Sequence, residues 1–134
     1  MRVVLDTNVL LAGIATHGMC EGLVTLRYRD HTVVLSEHIL AELHEHYVGK
    51  FQATDEKASL VVGALRKQSE VVVPAAIRSE AFADADDVPV LGTAIAGQVD
   101  YVVTGDKQLQ ELGPYRKIPI VSPRQFYELL RTAG

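Results

Sequence analysis

Short runs of apolar, largely β-branched residues alternate with longer segments of helical periodicity, and this alternation constrains the fold more than any other feature of the chain. The runs cover residues 3–5, 32–35, 71–73, 101–103 and 118–121. They lack the regular polar alternation of a half-exposed strand, which is the pattern of parallel strands covered on both faces. Strands separated by helices in this way predict right-handed βαβ units. Ser36 is placed to cap a helix over 36–48, where Ile39, Leu40, Leu43 and Tyr47 share one face. A second helix over 55–69 opens with acids and closes with Arg66 and Lys67, matching the helix dipole at both ends. These two consecutive helices predict a helical arm between the second and third strands. A helix over 87–96 is expected with Asp87 at its N-cap and Pro89 in its first turn. Ser122-Pro123 starts a last helix through Leu130. The expected architecture is a single three-layer α/β/α domain over residues 1–134, around a mainly parallel five-stranded sheet.

Composition agrees and removes several function classes. With 48% hydrophobic and 22% charged residues the chain can fill a core, and no apolar run reaches bilayer length. The single cysteine, Cys20, rules out an internal disulfide framework and a cysteine-built zinc site. The first strand starts at once, without the pattern of a secretory leader, so a reducing, cytoplasmic setting and no membrane association are expected. A formal net charge of −4 argues against a protein that coats nucleic acid with a basic surface. It allows an enzyme whose acids line one cleft and are neutralised there by cations.

In an open parallel sheet the binding crevice lies beyond the strand C-termini. Asp6 directly follows the first strand, and Asp106 follows the fourth in Thr104-Gly105-Asp106. Asp87 starts the helix leading into that fourth strand. Glu42 flanks the apolar stripe of the helix after the second. Helix capping accounts equally well for Asp87 and Asp106 taken singly, and a solvated position for Glu42. Asp6 is less easily explained, because Asp is a poor strand former. Four carboxylates brought together would repel one another unless a hard cation such as Mg²⁺ or Mn²⁺ lay between them. Such ions activate water and stabilise leaving oxygens in phosphodiester hydrolysis.

Four segments, in order, resemble the motifs of the PIN domain, as found in short single-domain toxins of toxin–antitoxin pairs. Val3-Val4-Leu5-Asp6-Thr7-Asn8 is similar to the opening motif, and Ser36-Glu37-His38-Ile39-Leu40-Ala41-Glu42-Leu43 to the second. Asp86-Asp87-Val88-Pro89-Val90-Leu91-Gly92-Thr93-Ala94 resembles the third, with Gly92 where alanine is commoner. Thr104-Gly105-Asp106 resembles the fourth. The resemblance implies a single-strand-specific, Mg²⁺- or Mn²⁺-dependent endoribonuclease that leaves a 5′-phosphate and a 3′-hydroxyl. It implies Asp6, Glu42, Asp87 and Asp106 as metal-holding and catalytic residues, supported by Asn8 and Thr104. Asp84, Asp86 and Asp87 crowd together, and Asp86 is an alternative third acid. The expected partners are single-stranded RNA, a cognate antitoxin and a second copy of the chain.

Other residues carry weaker signals. His38 and Glu42 have the i, i+4 spacing of a metal pair, but His-Glu-x-x-His is absent and His38, His44 and His46 read better as solvated helix residues. Arg27, Arg29, Lys107, Arg116, Lys117 and Arg124 are available to hold a phosphate backbone wherever they flank the cleft, and otherwise are surface charge. Gly92 and Ala96 share a helix face and would permit close packing. A phosphoacceptor receiver domain is the alternative from another class. It would need an acidic pair after the first strand and an Asp after the third, where this chain has Val73-Pro74-Ala75. A haloacid-dehalogenase-like phosphatase would need an acid in place of Asn8. A PIN fold used only for binding would have no need of all four acids.

Overall fold

A computed structural model describes residues 1–16, 30–78 and 85–132. Its strands are β1 (Arg2–Leu5), β2 (Thr32–Leu35), β3 (Glu70–Val71), β4 (Tyr101–Val103) and β5 (Ile120–Val121). Its helices are α1 (Thr7–Thr16), α2 (Glu37–Phe51), α3 (Asp55–Gln68), α4 (Asp87–Ala96), α5 (Lys107–Glu111) and α6 (Pro123–Thr132). The strands form one parallel five-stranded sheet in the order β3-β2-β1-β4-β5. A receiver domain has the order 2-1-3-4-5, so this topology is a different one. From β1 the chain steps outward to β2 and β3, then returns across β1 to β4 and β5. Right-handed crossovers therefore put α1, α2 and α3 on one face and α4 and α5 on the other.

Burial explains why the strands read as continuous apolar runs. Val3, Val4, Val34, Leu35 and Val102 are fully buried, with Ile39, Leu43 and Leu91 packed on them from the helices. The helical arm is α2 and α3, which pack on each other. Ser36 caps α2 as expected, accepting from the Ile39 N–H at 3.4 Å, and Thr54 caps α3 through the Lys57 N–H at 3.1 Å. A bidentate pair joins the two helices, with Arg66 donating to both carboxylate oxygens of Glu37 at 3.0 and 2.9 Å. The guanidinium holds the Glu37 carboxyl below its ordinary range, and the carboxylate raises Arg66 in turn. Both groups are exposed, so the pair fixes geometry more than it adds stability.

The structure corrects three boundaries and adds a helix. β3 ends at Val71, and Val73 lies outside it at 86% exposure, because this edge strand pairs only with β2. β5 begins at Ile120, since Ile118 instead forms an antiparallel bridge with Tyr115. The N-cap position of α4 is held by Asp86, and Asp87 is the first residue of the helix. Asp86 there has helical backbone angles and makes no side-chain capping bond. A helix absent from the expected set, α1, follows β1 directly. Cys20, Arg27, Arg29 and Asp84 lie outside the described residues.

The bridge at Tyr115 and Ile118 closes a two-residue hairpin. Tyr115 and Ile118 exchange backbone hydrogen bonds at 2.9 and 2.8 Å around Arg116 (φ 47°) and Lys117 (φ 71°). Positive φ at both central positions is the type I′ geometry that asparagine and glycine adopt readily. An L side chain in this region costs about 1–2 kcal/mol. Lys117→Gly is therefore expected to stabilise the protein by about 1 kcal/mol after glycine's greater unfolded-state entropy is subtracted. Arg116, whose guanidinium lies 5.4 Å from the Tyr115 ring centre, would be left in place. Urea unfolding checks this; a lowered midpoint would show that Lys117 makes a contact worth more than the strain.

Candidate carboxylate site at the β1–β4 edge

The chain reverses its direction of travel across the sheet between β1 and β4, and such a switch point opens a crevice beyond the strand ends. The register pairs Leu5 with Val103. One residue further, Asp6 and Thr104 stand side by side at that opening. The Asp6 N–H donates to Val103 O at 3.0 Å, while the Asp6 carbonyl accepts from Val9 and Leu10 and so starts α1. Asp6 is thus the junction between strand and helix, which answers why an Asp follows the apolar run.

Its carboxylate is held from both sides. Oδ1 accepts from the Thr7 N–H at 2.7 Å, and Oδ2 accepts from the Thr104 hydroxyl at 2.8 Å. The Thr104 oxygen in turn accepts from the Asp106 N–H at 3.1 Å. Asp106 caps α5 as its sequence position predicts, with Oδ1 accepting from Gln108 N–H at 2.9 Å. Thr104 is fully buried, and Gln110 Nε2 donates to its carbonyl at 2.7 Å. The turn that carries Asp106 is therefore fixed by side chains and not by chain direction alone.

On the other side of Asp6, the buried Thr7 hydroxyl points to Glu42 Oε2 at 3.5 Å. Thr7, through its hydroxyl and its backbone N–H, and Thr104, through its hydroxyl, thus connect the Glu42 carboxylate, the Asp6 carboxylate and the Asp106 backbone in sequence. Thr7 was not among the residues expected to build the site; its only sequence signal is a hydroxyl beside the first acid. Asn8 is exposed at the second position of α1. His38 Nε2 lies 2.5 Å from Glu42 Oε1, a close approach outside hydrogen-bonding alignment. His44 sits away from these acids, 3.7 Å from Asp55 and 3.4 Å from Ser59.

The third acidic segment arrives on α4, which packs against β1, β2 and β4. At the level of the sheet edge Thr93 meets Ser36, with their hydroxyl oxygens 2.9 Å apart. Asp87 lies six residues nearer the helix start, about 9 Å along the axis. Asp87 is half-buried and Asp86 exposed.

Carboxylate and hydroxyl oxygens are the donors that Mg²⁺ and Mn²⁺ take, so the chemistry of the set fits a hard cation. Among the described residues, however, no three His, Cys, Asp or Glu side chains stand close enough together to hold one ion. Asp6, Glu42 and Asp106 are linked through Thr7 and Thr104 instead of converging directly, and Asp87 is not part of that linkage. Among the same residues no helix is long and apolar enough to cross a membrane.

A family model of the PIN domain matches residues 2–108. Two solved structures share the fold at low sequence identity. VapBC2 from Rickettsia felis, bound to a DNA fragment from their promoter, aligns with a TM-score of 0.63 and 16% identity, covering 91% of this chain and 98% of that one. VapBC-1 from nontypeable Haemophilus influenzae aligns with a TM-score of 0.60 and 15% identity, covering 90% and 96%. No curated protein sequence matches.

Proposed function

This chain belongs to the PIN domain family, and we propose that it is a metal-dependent endoribonuclease of single-stranded RNA, the toxin of a toxin–antitoxin pair. The observation that carries the nuclease reading is the Asp6–Thr104–Asp106 arrangement at the switch point, with Glu42 tied in through Thr7. A capping role explains Asp106 Oδ1, but it does not explain a buried hydroxyl aimed at Asp6. The VapBC structures with the same fold support an antitoxin as partner, and a homodimer with paired clefts belongs to the same proposal.

Asp6, Glu42, Asp87 and Asp106 would hold Mg²⁺ or Mn²⁺. The chemistry supplied by such an ion is acidification of water and neutralisation of charge developing on the phosphate. Thr104 keeps one Asp6 oxygen in a fixed orientation, and Thr7 does the same for Glu42, so the carboxylates need little reorganisation before use. Asn8, exposed beside Thr7, would meet an incoming phosphate or water. In the hydrolysis, water oxygen bonds to phosphorus, the P–O3′ bond breaks, and the departing O3′ takes a proton, giving a 5′-phosphate and a 3′-hydroxyl. The acidic edge also explains a nuclease with net charge −4, because charge complementarity with RNA arises only after cations bind.

The test is cleavage of end-labelled single-stranded RNAs by the purified chain. Cleavage is expected with Mn²⁺ or Mg²⁺ and its loss with EDTA, with restoration on adding Mn²⁺ back. Cleavage that persists in EDTA would overturn the metal-dependent reading. No cleavage of an RNA panel at any Mn²⁺ concentration would favour a binding-only PIN fold.

A further inference from the structure

We propose that the buried hydroxyls of Ser36 and Thr93 form a clamp that sets the distance between the helix carrying Glu42 and the helix carrying Asp87. The role assigned to those acids rests on the nuclease reading above, while the clamp itself is a statement about the two helices.

Both side chains are completely buried, beside a core made almost wholly of hydrophobic residues. A buried hydroxyl is tolerated only when its hydrogen bonds are satisfied. Thr93 Oγ1 lies 2.7 Å from Pro89 O and 2.9 Å from Ser36 Oγ, and it has one proton for the two. If that proton goes to the carbonyl, the link to Ser36 must be made by the serine's own proton. Ser36 Oγ also accepts from the Ile39 N–H, as the cap of α2. The resulting relay runs from the first turn of α2, through two hydroxyls, to the first turn of α4. No sheet hydrogen bond could make this connection, since the two helices lie on opposite faces. An aliphatic pair of the same shape would fill the space equally well but would not fix the registry. A hydrogen bond has a preferred length and direction that an apolar contact lacks.

The placement gives the clamp its consequence. Glu42 lies six residues after Ser36 on α2, and Asp87 six residues before Thr93 on α4. The two acids stand at the far ends of short helical levers joined at this point. A small rotation about the joint displaces both carboxylates relative to Asp6, which is anchored separately by the sheet. Ser36 and Thr93 touch no reacting atom, so they are positioning residues.

Thr93→Val keeps the shape of the side chain and removes the hydroxyl; Thr93→Ser keeps the hydroxyl. In Thr93→Val, the backbone amide NMR signals of Glu42 and Asp87 are expected to shift and broaden while those of Val4 and Val102 hold. Mn²⁺ affinity, followed by water-proton relaxation, is expected to fall about tenfold, within the range for groups that orient metal ligands. Thr93→Ser should restore both. Unchanged Glu42 and Asp87 signals in a folded Thr93→Val protein would overturn the clamp, as would an equal loss in Thr93→Ser. If the wild-type chain binds no Mn²⁺, the nuclease reading fails, and the amide signals alone decide the clamp.

Discussion

Asp6→Asn is expected to lose metal-dependent RNA cleavage by at least about a hundredfold while the chain stays folded. Removing a group that merely orients a metal ligand costs about 10- to 100-fold, and a ligand placed between two anchors should cost no less. Asparagine keeps the size of the side chain and one carbonyl oxygen, so the bond from either Thr104 or Thr7 survives. The backbone bonds that start α1 involve only the Asp6 carbonyl and are untouched. What disappears is a negative charge at the switch point. The measurement compares initial cleavage rates of the two proteins across a Mn²⁺ titration, with far-ultraviolet circular dichroism to check the fold. Recovery of the full rate at high Mn²⁺ would mean that Asp6 contributes affinity alone. A rate equal to wild type throughout would remove Asp6 from the site and leave it as the strand–helix junction.

The features that could be read from the sequence are those whose causes are local. β2, the Ser36 cap and the dipole-matched ends of α3 all follow from residues within one or two turns of each other. Helix α1 escaped because Val9, Leu10, Leu11 and Gly13 are all buried. A helix apolar on most of its circumference has no amphipathic period to betray it. The N-cap of α4 differs by one residue from the expected one because Asp86 and Asp87 are both suitable caps by residue type. For the candidate site, Asp6 and Asp106 are legible as acids after strand ends, Glu42 and Asp87 as acids on helices, and Thr104 through the resemblance alone. Their connection is not. Thr104 reaches Asp6 from a distant part of the chain, and Ser36 meets Thr93 across the sheet. Both depend on strand order, which short-range patterns leave open.

The same reasoning resolves the glycine that departs from the family pattern, and it makes Gly92 the position with the largest expected effect on stability. A Cβ built on Gly92 would sit 2.5 Å from the Ala75 carbonyl oxygen and 3.1 Å from Pro74 Cβ. The Ala75 N–H donates to the Gly92 carbonyl at 2.9 Å, so the two backbones are already bonded and have no freedom to separate. Two effects compete in the variant. Alanine is better than glycine in a helix by about 1 kcal/mol. Overpacking a buried contact costs about 1–3 kcal/mol, and here the obstruction is backbone, which cannot turn aside as a side chain can. The second effect wins, by up to about 2 kcal/mol and a fall in Tm of roughly 4–8 °C. Gly92→Val should lose more, since it adds two methyl groups at a site with no space and a β-branch in a helix. Ala96 on the same face is exposed, so Ala96→Val should cost little beyond helix propensity. Thermal unfolding of the three variants decides the point. If Gly92→Ala melts at or above wild type, the segment at Pro74–Ala75 yields easily. In that case α4 is free to settle by a few tenths of an ångström, and Thr93, the next residue along, must hold its position through its hydroxyl alone.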